Sequence, residues 1–114
     1  MNINQIRELI RSGGNLDIQD PNGMTPLMIA VDQQDQELVR RLIEKKVNVN
    51  KQDKYGQTAI MLAAGRNFHA AVKMLLSARA NLRLVSKSGL TALGFAIDNG
   101  NDDCAVLLKK AGAK

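Results

Sequence analysis

Apolar and polar positions alternate along the chain in short blocks whose spacing is typical of helices. After residue 25, Leu27, Ala30 and Val31 fall on one helical face, and Leu38 and Leu42 mark a second apolar stripe. A short polar stretch separates these two blocks, and the segment VNVNKQDKYG follows the second one. The pattern therefore predicts two short helices joined by a tight loop and followed by an extended link.

The same block pattern returns at a fixed interval. The phrase GMTPLMIA, which begins at Gly23, recurs as GQTAIMLA from Gly56 and as GLTALGFA from Gly89, so both intervals are 33 residues. The apolar positions of the second helix and the polar links repeat at the same interval. A period of this length indicates stacked supersecondary units, none of which buries its apolar face alone.

The recurring residues suit particular places in such a unit. Glycine permits a turn with positive φ, and the threonine two residues later can cap a helix with its hydroxyl. Pro26 fits the first helical position, where its missing N–H is not needed. Asp35, Asn67 and Asn101 are expected to start the second helices.

The segment DPNGMTPLMIAVDQQDQELVRRLIEKKVNVN resembles an ankyrin repeat, whose pattern places D-x-x-G-x-T-P-L before an Ala and V-x-x-L-L-x-x-G-A-x-V-N after it. The resemblance covers nearly the whole chain. It implies an all-α fold, an ankyrin-repeat solenoid of stacked helix-turn-helix units joined by β-turn or hairpin-like loops. It predicts a single domain over 1–114, with a partial N-terminal unit at 1–19, repeats at 20–52 and 53–85, and a C-terminal capping repeat at 86–114.

The sequence departs from the family pattern where the second helix closes. The usual glycine is kept at Gly13 and Gly112, whereas Lys46 and Arg79 stand at the equivalent positions of the two middle units. If the family geometry is retained, both residues adopt a left-handed conformation, which costs about 1 kcal/mol for a residue with a Cβ.

The two end units of the predicted stack differ from the middle ones. The apolar position held by Ile10 in the first unit becomes Lys109 in the last, so nothing is expected to stack beyond it. The first unit lacks its first helix, and this is expected to leave Met28 and Ile29 uncovered. An upstream segment could cover them, and otherwise the chain is expected to be a monomer or a weak dimer through that face.

Composition narrows the class of protein. Apolar residues make up 45% of the chain, which is enough for a packed core, and no apolar run approaches the length of a membrane span. The polar start has no apolar core typical of a secretory signal. A lone cysteine, Cys104, fits a reducing compartment. We therefore expect an intracellular protein, cytoplasmic or nuclear, without a membrane partner.

Residues with catalytic or metal-binding potential are sparse. The single histidine, His69, and Cys104 lie in different repeats, with no evident third residue to orient them. Carboxylates near helix starts are expected for dipole reasons alone, and no loop has the spacing of a calcium or phosphate site. We predict no catalytic, cofactor or metal site, and hence no enzyme.

The net charge of +5 raises the question of a nucleic-acid site. Six basic residues lie between positions 40 and 54, but Arg40 and Arg41 point to different helix faces, and Glu37 and Glu44 lie nearby to pair with them. Aromatic residues are only 3% of the chain, so stacking on bases has little support. A nucleic-acid binder is kept as a third interpretation, which a steep loss of affinity with ionic strength would identify.

Positions that vary between repeats remain as candidates for binding. In ankyrin-like stacks the turn tips and the first-helix face form a concave surface that commonly holds a protein partner. Carried over by register, the predicted contact residues are Asn22, Met24, Asp32, Gln33, Lys54, Tyr55, Gln57, Arg66, Lys87, Ser88, Leu90, Asp98 and Asn99. Tyr55, the only tyrosine, is the strongest single candidate.

These residues predict a non-catalytic module that binds a protein partner through its concave face and loop tips. Lys54, Arg66 and Lys87 would favour a partner with an acidic segment. The alternative is a targeting or regulatory part of a larger protein whose activity lies elsewhere.

Overall fold

Short apolar blocks separated by turn residues fold into seven α-helices in the computed structural model, which describes residues 1–114. The helices are α1 (Ile3–Ser12), α2 (Pro26–Asp32), α3 (Gln36–Glu44), α4 (Ala59–Gly65), α5 (His69–Ser77), α6 (Ala92–Asp98) and α7 (Asp102–Lys110). There is no β-strand. The molecule measures 39 × 25 × 20 Å, the elongated shape expected of a one-dimensional stack.

The helices stack in two rows. One row consists of α2, α4 and α6, and the other contains α3, α5 and α7, with each helix contacting the next in its row. The pairs α2–α3, α4–α5 and α6–α7 also pack together, and α1 packs against α2. The predicted all-α solenoid is therefore confirmed. Each helix pair falls within one predicted unit, although the unit boundaries themselves stay a prediction.

The first helix of each pair begins as expected. Thr25, Thr58 and Thr91 are the N-cap residues, and each hydroxyl accepts a hydrogen bond from the backbone N–H three residues later, at 3.2–3.4 Å. Pro26 occupies the first helical position of α2. These caps satisfy N–H groups that have no partner within the helix.

The second helices begin differently from the prediction in one place. Asp35 caps α3 through its carboxylate, as expected. Asn67 does not cap α5, because it lies in the loop with φ of 56° and Phe68 takes the cap position. The loop needs a residue with positive φ there, and asparagine tolerates this conformation better than most residues.

Asn101 holds the cap position of α7 but its side chain serves another helix. The Nδ2 donates to the Ala64 carbonyl (2.7 Å) and the Gly65 carbonyl (3.2 Å) at the C-terminal end of α4. These carbonyls have no partner within the helix. Asn101 therefore ties the last repeat to the one before it.

A single apolar cluster runs through the stack. Ala30, Ala63 and Ala96 are fully buried in the first-helix row, and their small side chains allow the helices to approach closely. Leu42, Leu75 and Leu108 are fully buried at equivalent positions of the second-helix row.

The two ends of the stack differ from each other in how they are covered. Lys109 is exposed, as expected of a terminal unit. Met28 and Ile29, however, are only 1% and 8% exposed, so the expectation that they lie uncovered is wrong. They are buried because α1 packs against α2 and Ile3 packs onto the core. The weak dimer predicted through this face thus loses its basis.

Successive turn tips are joined by backbone hydrogen bonds. The Lys54 N–H donates to the Asn22 carbonyl (3.0 Å), and the Lys87 N–H donates to the Tyr55 carbonyl (2.9 Å). We call this row of bonds the tip ladder. A Cβ at Gly23 would lie 2.8 Å from the Lys54 nitrogen, so the close approach requires glycine.

Two glutamines strengthen the same connection. The Nε2 of Gln19 donates to the Gly23 carbonyl (2.8 Å) in its own tip and to the Gln52 carbonyl (3.1 Å) in the next repeat. Gln52 repeats the arrangement one unit later, with bonds to the Gly56 and Val85 carbonyls. The tips are therefore fixed at one spacing and in one row.

Replacing the tip glycines by alanine tests the ladder. Gly23 and Gly89 have similar φ values of 78° and 84°, but nothing lies within 4 Å of a Cβ at Gly89. Gly89→Ala should cost about 1 kcal/mol for the left-handed conformation alone. Gly23→Ala should cost at least about 1 kcal/mol more, because the Cβ meets backbone atoms. Chemical denaturation measures the loss in free energy of unfolding for each variant. Equal losses for Gly23→Ala and Gly89→Ala would contradict the tip ladder.

Glycine at the two middle helix ends should stabilise the fold. Lys46 and Arg79 both have φ of 62°, which confirms their predicted left-handed conformation. Lys46→Gly and Arg79→Gly should each raise the melting temperature by a few degrees, since the strain removed is about 1 kcal/mol and is offset only in part by the freedom of unfolded glycine.

The converse change serves as the control for this pair. Gly13 has φ of 74° with open space around its Cβ direction, so Gly13→Lys should lower the melting temperature by a similar amount. Circular dichroism melts decide the outcome. A lower melting temperature in both Lys46→Gly and Arg79→Gly would mean that strain at these residues is not what limits stability.

Candidate functional site

The turn tips owe their shape to a polar side chain at their base. Asp53 is 8% exposed, and its Oδ1 accepts from the backbone N–H groups of Tyr55 and Gln57, both at 2.9 Å. Asp20 holds the first tip in the same way. In the third tip Ser86 replaces the aspartate, and its hydroxyl accepts from the Leu90 N–H at 3.3 Å. In each tip, a side chain therefore stabilises the turn by accepting hydrogen bonds from the backbone of the same tip.

A shallow groove of about 480 Å³ lies between the first two tips and the first-helix row. We call it the tip groove, and its lining residues are Asn22, Met24, Asp32, Asp53, Lys54, Tyr55, Gln57, Leu62 and Arg66. Seven of these nine are predicted contact residues, which the tip ladder brings together from two repeats. Asp53 and Leu62 were not predicted.

The sequence contains patterns that indicate Asp53 and Leu62. Asp20 and Asp53 recur 33 residues apart in the D-x-x-G phrase, which marks them as tip residues. Leu62 recurs with Ile29 and Phe95 as a large apolar residue on the first helices. Leu62 and Phe95 are only half-buried, so this position reaches the edge of the core and the groove.

Charges in the tip groove are partly compensated. Arg66 forms an ion pair with Asp32 across the repeat boundary, with the two side chains 49% and 31% exposed. The Nζ of Lys54 lies 5.1 Å from the centroid of the Tyr55 ring, within range of a cation–π contact. Lys54 forms no ion pair. The groove therefore presents one free cation beside an aromatic ring.

The other predicted contact residues lie outside the tip groove. Lys87, Ser88 and Leu90 form the third tip, which is joined to the second by the Lys87–Tyr55 backbone bond. Ser88 lies 2.7 Å from the Ser86 hydroxyl. These residues extend the row of tips rather than the groove.

Three predicted residues at the first-helix ends have separate environments. Gln33 lines a different depression, together with Met1 and Ile3 at the N-terminal end of the stack. The Asn99 Nδ2 donates to the Phe95 carbonyl (2.8 Å) within its own helix. Asp98 is exposed at the end of α6 and forms no ion pair.

The single cysteine is a buried core residue. Cys104 is fully buried, and its Sγ donates to the Asn67 Oδ1 at 3.4 Å. Burial, with a smaller contribution from the Asp103 charge, raises the pKa of the Cys104 thiol. A thiol held in its protonated form is a weak nucleophile at neutral pH.

The family model described as ankyrin repeats (3 copies) matches residues 1–84 and, in a second register, residues 34–114. No curated protein matches the chain at a significant level. Ankyrin repeats are generally non-catalytic modules for protein–protein interaction. None of the seven helices combines the length and apolar character that crossing a bilayer requires. With its whole length covered by the family model and its helix pairs stacked in register, the chain belongs to the ankyrin repeat family.

Proposed function

We propose that this chain binds one protein partner through the tip groove and the adjoining row of tips. The observation that carries the proposal is the convergence of residues from two repeats around one exposed aromatic side chain. Tyr55 is 57% exposed, although tyrosine is usually at least half-buried in a folded domain. An aromatic residue that lines a groove and remains exposed suits the role of an interface anchor.

The fixed backbone around Tyr55 supports this role. Its N–H is held by Asp53 and its carbonyl accepts from the Lys87 N–H, so the tip does not need to be ordered on binding. Preorganised side chains lose less entropy when a complex forms. Met24 and Leu62 line the same groove and offer apolar contact beside the ring.

The charge pattern supports a partner with an acidic segment near the second and third tips. Lys54 and Lys87 lie on neighbouring tips and form no ion pair within the chain. Arg66 is already paired with Asp32, so it contributes less to the attraction of an acidic partner. We therefore infer that the two lysines attract the acidic segment, whereas the Asp32–Arg66 ion pair holds its own two side chains in position.

Removing the Tyr55 side chain should weaken partner binding without destabilising the fold. Tyr55→Ala should lower affinity at least about tenfold, as expected for an aromatic anchor. The free energy of unfolding should change by less than about 0.5 kcal/mol, since the ring is exposed. Affinity capture from native cell extract with quantitative mass spectrometry identifies the partner, and titration calorimetry measures the affinity.

A matched control removes an exposed apolar side chain elsewhere. Val106 on α7 is 50% exposed and lies outside the tip groove, so Val106→Ala should bind like the unaltered chain. If the captured partner binds Tyr55→Ala, Lys54→Ala and Arg66→Ala with undiminished affinity, it docks on another surface and the proposal fails.

A further inference from the structure

A second groove runs between α3 and α5, in the row of second helices. It consists of two depressions of about 440 and 250 Å³ that share Ile43, Met74 and Ser77. None of its lining residues belongs to the tip groove. We call it the α3/α5 groove.

The floor of this groove is apolar. Ile43 and Met74 pack against the core but remain partly exposed, and Val47 and Ala78 extend the same surface. These side chains offer a contact for one large apolar residue of a ligand. No aromatic side chain lines the groove, so it lacks a platform on which nucleic-acid bases stack.

The rim of this groove is cationic. Lys46, Lys73 and Arg79 line it, and none of them forms an ion pair. The one acidic side chain in the lining, Glu44, is engaged by Arg40, whose Nη1 lies 2.8 Å from the Glu44 Oε2. The uncompensated charge around the apolar floor is therefore entirely positive. The tip groove, in contrast, holds charges of both signs.

The conformation of two rim residues adds an independent observation. Lys46 and Arg79 are left-handed at positions where the outer units have Gly13 and Gly112. The chain thus keeps long cationic side chains at the two places on this rim where glycine would be less strained. Strained residues of this kind often persist at functional sites, and here both border the same groove.

We propose that the α3/α5 groove is a docking site for an acidic peptide segment, distinct from the tip groove. The segment places one large apolar side chain between Ile43 and Met74 and its carboxylates beside Lys46 and Arg79. Charge complementarity selects this ligand, because an acidic peptide supplies the partners that these cations lack while burying the exposed apolar floor.

Peptide display with methyl NMR tests the proposal. A random peptide library is selected against the full chain, and each enriched peptide is titrated into chain labelled at its methionine methyl groups. The chain has five methionines, of which Met74 lines the α3/α5 groove and Met24 lines the tip groove. We expect peptides with several Asp or Glu residues around one Leu, Ile or Phe, which shift the Met74 methyl signal and leave Met24 unchanged.

The strained residues provide the decisive variant. The Lys46→Gly/Arg79→Gly double variant should melt at a higher temperature yet bind these peptides at least about tenfold more weakly. A loss of binding in a more stable protein cannot come from unfolding. The matched control, Lys109→Ala/Lys110→Ala, removes the same number of charges from α7 and should bind like the unaltered chain.

Four results would overturn the proposal. The selection could yield no acidic peptides, or peptides that shift Met24 alone, which would instead support the tip groove. A single-stranded oligonucleotide could displace the peptide with a larger Met74 shift, which would favour nucleic acid. The Met74 signal could move with protein concentration alone, which would identify a second copy of the chain as the occupant.

Discussion

The close contact between successive turn tips is the constraint on which the rest of the structure depends. At Gly23 the missing Cβ lets the backbone of the next tip come near enough for the Asn22 carbonyl to accept from the Lys54 N–H. The same contact recurs one unit later and fixes the tips in one row. This register decides which side chains share the tip groove, so the proposed binding surface follows from a backbone contact rather than from contacts among its lining residues.

Much of the fold was predictable because the repeated residues act locally. The threonine caps, Pro26 and the tip glycines each satisfy a conformational or hydrogen-bonding need within a few residues, and the structure confirms them. Errors arose where the answer depends on tertiary packing. Met28 is covered by α1, and no local pattern revealed how that helix would dock. Asn67 was mistaken for a cap because capping and left-handed loop positions favour the same residue type.

Alignment of the repeats predicts which candidate residues share a face of the stack, but it does not predict the contacts between their side chains. Aligning the repeats placed Tyr55 and Arg66 on one face, and the tip groove contains both. The pairing of Arg66 with Asp32 was not foreseeable, because the two residues come from different repeats and their ion pair depends on side-chain reach across the boundary. That pairing changes the expected electrostatics, since it removes one of the three cations thought to attract an acidic partner.

The two grooves differ in whether the residues with positive φ beside them are strained. The positive φ values at the tips fall on glycines, where they carry little strain, so the tip groove is built on a relaxed frame. At the rim of the α3/α5 groove the same kind of φ falls on Lys46 and Arg79, where it opposes stability. Packing does not require these long side chains, because both are exposed. An exposed, unpaired cationic residue in a strained conformation contributes little to the stability of the folded state. The presence of two such residues beside one apolar groove therefore favours a role in binding over a role in folding.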